Sequence, residues 1–237
     1  MPLTSAHWGT YYTEVRGGKL VGMQPFGQDA DPSDIGKGLV GTLDAPTRII
    51  APMVRKGWLD GRKGQRGKDS FVEVSWSDAL SLVADELSRV KAEQGNQGIF
   101  AGCYGWASAG RFHHAQSQIH RFMNCIGGYV KSVNTYSFAA AEVIIPHVLG
   151  DFRGFIYDQT SWQSICDDGG LFVGFGGLPL KNAQINQGGT GGHVQKGFVA
   201  KAHRAGVEFV NISPLAADMP DMVKSDWLAI RPNTDTA

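Results

Sequence analysis

Between residues 76 and 90, apolar side chains fall at Trp76, Leu80, Val83, Leu87 and Val90. Spacings of three and four place them on one face of an amphipathic helix. Ser75 and Asp78 give it a capping-box-like start, with Asp in place of the usual Glu, and Gly95 marks its end. Before it, FVEVSW (71–76) reads as a short strand. Residues 1–70 are glycine- and basic-rich, with short extended pieces such as YYTEVRGGKLVGMQP and little that is helical.

After the helix, GIFAGC (98–103) is a short apolar strand and YGWASAG (104–110) a glycine-punctuated loop. RFHHAQSQIHRFMNCI (111–126) predicts a helix stopped by Gly127 and Gly128, and YVKSVN (129–134) a second strand. Two strands joined through a helix are normally parallel, so YGWASAG and TYSF fall at the same carboxyl edge, where open α/β sheets bind ligands. The pattern recurs after residue 168. GGLFVGFG (169–176) is a strand followed by GLPLKNAQ and a polar glycine-rich insert, then comes a helix over roughly 194–205. VEFVNI (207–212) and WLAI (227–230) are further strands, leading into SPLAADMPD and RPNTDT.

The expected fold is therefore α/β: mostly parallel sheets with flanking helices in βαβ units, preceded by a small β-rich amino-terminal lobe. The texture suggests three regions: 1–70, the β-rich lobe; 71–150, an α/β segment; and 151–237, the start of a dinucleotide-binding-like domain. The chain stops after a loop with no closing helix, which reads as the amino-terminal piece of something longer.

Composition narrows the function classes. Lys plus Arg and Asp plus Glu are both 22, so no charge excess steers the chain to nucleic acid or an anionic membrane. With 42% hydrophobic and 19% charged residues, a packed core is expected. The 32 glycines are the outlier; without a fixed period they suggest loops built around a ligand. Three cysteines, Cys103, Cys125 and Cys166, are too dispersed for a CxxC metal motif or a disulfide framework, and an odd count fits a reducing compartment. No export signal and no run long enough to span a membrane are visible, which reads as cytoplasmic; a trimmed start would leave the periplasm open.

Several residues are candidates for chemistry. GFGGLP (174–179) starts like a dinucleotide fingerprint but has Pro179 at the last glycine position, so a nicotinamide site is not supported. His113 and His120 share a helical face, but no Cys or carboxylate completes a metal site, and packing under a sheet edge explains them better. Ser137 reads by spacing as the N-cap of a helix through 138–145, ended by Pro146. Its loop also shares the sheet edge with Tyr104 and Trp106, which would make a small polar cluster in an aromatic-walled pocket.

The stretch from GCYGW through NTYSFAAAEVIIPHVLG resembles the molybdopterin oxidoreductases, and is most similar to the dimethyl sulfoxide, trimethylamine N-oxide and biotin sulfoxide reductases. PMVRKGWLDG, GFGGLPLKNAQ, VNISPLAADM and RPNTDTA extend the resemblance over essentially the whole chain. It implies a molybdenum ion held by two molybdopterin guanine dinucleotides, with Ser137 as the protein ligand to the metal. Tyr104 and Trp106 would face the metal, with Gly105 between them at the cofactor. Lys181 and Asn182 would contact pterin or phosphate, although the family more often has Thr at the second position. Ser213 would lie at the guanine or ribose, where an acidic residue is usual, and Thr234 and Asp235 match the guanine-reading loop. Ala107 replaces the Lys of better-known members, which would alter the substrate funnel. Many relatives carry an iron–sulfur cluster near the amino terminus; this chain has no Cys before 103, so electrons would come from an external donor.

The resemblance thus implies oxygen-atom transfer from small S-oxides or N-oxides, the cofactor carrying the hard chemistry. The competing reading is a non-catalytic truncated α/β fragment that binds a nucleotide-like cofactor partially or not at all.

Overall fold

The computed structural model describes residues 1–61, 64–103, 105, 114–186 and 191–234. These form two compact units, one from residues 1–40 and 133–234, the other from residues 41–105 and 114–132.

The first unit opens with an antiparallel meander of β1 (Leu3–Ala6), β2 (Gly9–Arg16) and β3 (Lys19–Pro25), with a bulge at Glu14/Val15, followed by a 3-10 helix at Asp34–Gly41. Its centre is Tyr11, 1% exposed, whose hydroxyl donates to the carbonyls of Trp8 and Ser33. The ring lies against Gly36, where a Cβ would come within 2.4 Å of it. This is the β-rich lobe expected from the sequence.

In the second unit β4 (Met53–Arg55) runs into α1 (Lys56–Leu59) and pairs antiparallel with β5 (Phe71–Glu73). This pairing straddles residue 70, so the sequence-based boundary there falls beside a two-stranded sheet, not in a linker. Next comes α2 (Trp76–Gln94), with the start and stop expected. The Asp78 amide donates to Ser75 Oγ (3.1 Å), while the Ser75 hydroxyl donates to the Asp78 carboxylate (2.7 Å). The shorter Asp side chain meets the serine oxygen where a Glu would reach the cap's backbone. Leu87 and Val90 pack against a core of Ile99, Ala101 and Met123, the last from α3 (Ala115–Cys125).

The parallel strands expected at 98–103 and 129–134 reduce to a single bridge. Phe100 lies parallel to Val130, with Val130 N–H donating to Ile99 O and Ala101 N–H to Val130 O. The ladder goes no further towards Ile126. The carbonyls of Ile126 and Gly128 are taken by the side chains of Lys91 and Asn96. The direction was read correctly and the length was not. Beyond the amino-terminal lobe the expected parallel pairing is met by this bridge and by the three-stranded sheet described below, while β4 and β5, at the lobe's boundary, pair antiparallel.

Back in the first unit, α4 (Ala139–Val148), α5 (Phe152–Tyr157) and α6 (Trp162–Asp168) lead to β6 (Leu171–Phe175). After it come α7 (Leu180–Ala183), α8 (Gln195–Arg204), β7 (Glu208–Ser213) and β8 (Ser225–Ala229). The three strands form a parallel sheet in the order β6-β7-β8. Phe209, Asn211 and Ser213 alternate onto one face, where Phe209 joins Cys166 of α6 and Val199 and Ala202 of α8 in a buried core. Trp162 of α6 stacks on Phe172 at 5.5 Å. The sheet and the helix between β6 and β7 agree with the sequence reading to within a residue or two.

Candidate cofactor site

Parallel strands deliver their following loops to one edge, and here that edge gathers three of them. After β6 the chain turns through Gly176 and Gly177, at φ +83° and +76°. A Cβ at Gly177 would lie 2.4 Å from the Asp218 carbonyl oxygen, so the β6 loop and the loop after β7 touch backbone to backbone. Only glycine permits both the left-handed turn and this approach. The contact is sealed by Leu178 N–H donating to Asp218 O at 2.7 Å and Gly176 N–H donating to Ile212 O at 2.9 Å.

Pro179 then caps α7, which holds Lys181 and Asn182, both exposed. Beside Lys181 lies a cavity of about 340 Å3, walled by Pro179 and Leu180 on one side and Ala217, Met219 and Asp221 on the other. Thr234, in the loop after β8, donates its hydroxyl to Arg231 O at 2.7 Å, and Asn233 before it takes φ +64°. Lys181, Asn182 and Thr234 are thus brought to the same sheet edge.

Ser213 occupies that edge differently. It is fully buried; its hydroxyl donates to the Asp218 carboxylate and accepts from Leu215 N–H at 3.2 Å. Its carbonyl receives the Trp227 indole N–H at 2.9 Å. The neighbouring Asn211, also fully buried, donates to the carbonyls of Leu215 and Ala216. Together they hold the 214–219 loop in place, and Asp218 supplies an acidic group in this loop, five residues beyond Ser213. Sequence reasoning missed Asp218; the signal was the carboxylate inside SPLAAD.

Ser137 lies in a turn ahead of α4 and is exposed. The helix-cap role expected for it is not what forms. The N-cap position is Phe138, α4 runs to Val148, and Pro146 sits inside it. Thr135 is the hydroxyl that receives the helix-start amide, from Phe138 at 3.2 Å, and Thr135 N–H in turn donates to Glu142 of the first turn. Those two contacts clamp both sides of the turn carrying Ser137. Pro146 is tolerated because, so near the helix end, its missing N–H forfeits one bond, to the Glu142 carbonyl. Thr135 and Glu142 escaped the sequence reading, though Thr three residues before a helix amide is a recognisable capping spacing.

Gly105 belongs to the second unit, where its N–H donates to Cys103 Sγ at 3.2 Å. Tyr104, Trp106, Ala107, His113 and Asp235 lie outside the described residues. His120 pairs through Nδ1 with the Tyr129 hydroxyl.

The family model for the molybdopterin oxidoreductases matches residues 48–237, and that for their amino-terminal domain matches residues 4–43. The chain belongs to the molybdopterin oxidoreductase family. Biotin sulfoxide reductase of Cereibacter sphaeroides is 42% identical over 92% of the chain and 30% of its own length. Trimethylamine-N-oxide reductase of Haemophilus influenzae is 37% identical over 98% of the chain and 28% of its own length. Dimethyl sulfoxide/trimethylamine N-oxide reductase of Cereibacter sphaeroides is 35% identical over 99% and 29%. The chain therefore spans about three-tenths of the length of the curated relatives it matches. Membership implies a molybdenum–molybdopterin cofactor. Among the described residues no helix is long and apolar enough to cross a membrane.

Proposed function

We propose that this chain forms the amino-terminal part of a molybdenum-dependent reductase of S-oxides or N-oxides. The supporting observation is the gathering of Lys181, Asn182 and Thr234 at one edge of a parallel sheet, in a chain similar to sulfoxide and N-oxide reductases. The residues fit a nucleotide-bearing cofactor. The exposed Lys181 ammonium beside an open cavity suits a phosphate. In this reading Lys181 and Asn182 hold the pterin or phosphate end, and Thr234 with Asp235 reads the guanine of a guanine dinucleotide. Ser213 acts behind them by shaping the 214–219 loop.

Ser137 is the residue assigned to the metal. A hydroxyl that ionises to a hard alkoxide suits a high-valent, oxophilic ion, and the Thr135–Glu142 clamp fixes the turn that presents it. When bound, the molybdenum cofactor supplies the two-electron oxygen-atom transfer. The chain's part is to hold it, orient the oxide through Tyr104 and Trp106, and admit electrons from an external donor.

The test is Ser137→Ala in the full-length holoprotein, with reduced viologen as donor and biotin sulfoxide, methionine sulfoxide, dimethyl sulfoxide and trimethylamine N-oxide as substrates. The expected result is loss of oxide reduction at an unchanged melting temperature. Wild-type turnover would remove Ser137 from the metal, and absence of molybdenum and pterin from the unmutated protein would sink the whole reading. Metal retained by the full-length protein and lost from the 237-residue chain would favour a non-catalytic fragment for this chain taken alone.

A further inference from the structure

The short helix that carries Lys181 and Asn182 is not held by its own sheet alone. Its C-cap residue, Gln184, reaches across to the amino-terminal lobe. Gln184 Nε2 donates to the Asp31 carboxylate at 3.0 Å and to the Asp31 carbonyl at 3.2 Å. The other oxygen of the same carboxylate receives Lys196 Nζ, from the first turn of α8, at 3.1 Å. One largely buried carboxylate therefore ties α7 to α8. Two residues past the cap, the Asn186 amide donates to His7 O at 2.7 Å.

Asp31 is itself braced. Its amide donates to Asp29 Oδ1 at 3.1 Å, and Asp29 Oδ2 lies 2.8 Å from Nδ1 of His193, a residue 4% exposed. Gly9, at φ +128°, leaves the space: a Cβ there would come within 3.2 Å of the His193 ring and 3.4 Å of Asp29. Asp31 thus receives two side chains from residues 184–196, at sequence separations of 153 and 165, and Asp29 lies against a third, His193. Neither an α/β sheet nor a β meander requires such a tether for its own folding. Its position immediately behind Lys181 and Asn182 gives it a purpose, because α7 is a single turn with no side-chain cap at its N-terminus.

We infer that Asp31, braced by the Asp29–His193 pair, is a positioning residue for the nucleotide end of the cofactor. It locks the C-terminus of α7 and thereby fixes the backbone that presents Lys181 and Asn182. The inference rests on the proposed nucleotide role of those two residues. It makes the amino-terminal lobe a determinant of affinity at a site on a sheet more than a hundred residues away in sequence.

The probe is guanosine diphosphate, titrated by calorimetry into the 237-residue chain, alongside hydrogen exchange of peptides covering residues 180–186 and β7. Asp31→Ala is expected to accelerate exchange over 180–186 roughly tenfold, leave β7 unchanged, and weaken binding roughly tenfold, the effect of losing the charge-assisted hydrogen bond from Gln184 that holds α7. Asp31→Asn, which keeps an acceptor for Gln184, is expected to recover most of the binding. Gln184→Ala, a substitution on the outside of the latch that threatens the fold less, should behave as Asp31→Ala does. Faster exchange with unchanged affinity, or unchanged exchange over 180–186, overturns the inference. Weaker binding accompanied by equally faster exchange in β7 also overturns it, as general destabilisation. If the unmutated chain and Lys181→Ala bind the nucleotide equally or not at all, the nucleotide reading itself falls, and the positioning role with it.

Discussion

Replacing Gly177 by alanine puts a methyl group where another loop's backbone already is. The new Cβ would lie 2.4 Å from the Asp218 carbonyl oxygen and 2.5 Å from Asp218 Cβ, at a backbone φ of +76°. Two costs add. A non-glycine residue in the left-handed region costs about 1–2 kcal/mol. Relieving the overlap means parting the two loops, which costs about 1–3 kcal/mol for overpacking and about 1 kcal/mol for the Leu178–Asp218 bond. Gly176→Ala is the internal control: it shares the conformation, at φ +83°, but nothing lies within 4 Å of its Cβ. The expected losses are about 1–2 kcal/mol for Gly176→Ala and about 3–6 kcal/mol for Gly177→Ala. Hydrogen exchange of β7 amides reads the opening free energy of this sheet without averaging over the second unit. Equal destabilisation by the two substitutions, within about 0.5 kcal/mol, would refute the argument that the loops meet backbone to backbone.

Two further outcomes follow from local geometry. Ser75→Ala removes the acceptor for the Asp78 amide and should cost about 1 kcal/mol, read as faster exchange in the first turn of α2, whereas the exposed Ser77→Ala should be near neutral. Burial, reinforced by Asp29, pushes the Tyr11 phenol above its ordinary value of 10.0. The folded state then binds that proton more tightly than the unfolded chain, so stability is unaffected below about pH 10 and falls as pH rises through the folded value. Tyr11→Phe should flatten that alkaline loss in a pH series of urea melts; an unchanged alkaline slope would show that another group carries it.

The elements read best from sequence were those whose signal is local. The apolar spacing from Trp76 to Val90 with Ser75 ahead of it fixed α2 almost residue for residue, because a helix and its cap are decided within one or two turns. β6 to β8 were legible because short apolar runs alternate with glycine and a helix, and βαβ chirality does the rest. The strands at 98–103 and 129–134 had equally good local patterns and shrank to one bridge. What the local pattern did not carry is that the carbonyls of Ile126 and Gly128, just ahead of the second strand, are held by the side chains of Lys91 and Asn96. The cap position of α4 falls on Phe138, one residue past Ser137, and the Phe138 amide is held by Thr135, a detail of the turn that the apolar spacing does not reveal.

The site divides along the same line. Glycines that turn a loop carry a signal in their own neighbourhood, so the β6 loop was legible as a turn, whereas Lys181 beside it was named only through the family resemblance. Ser213 was singled out as a ligand-facing residue, yet its oxygen is committed to Asp218 and Leu215, a pairing that only the closed loop reveals. The contacts to Asp29 and Asp31 are the extreme case. Nothing in DADPSD marks it as a receiver for Gln184 and Lys196 or as a neighbour of His193, since each of these is polar, ordinary and far away. Single-sequence patterns measure periodicity and turn chemistry, and a hydrogen bond between distant loops has neither. What would position a residue proposed to bind a ligand can therefore be less legible than the residue itself, and the proposed role of Lys181, with the Asp31–Gln184 contact behind it, illustrates the difference.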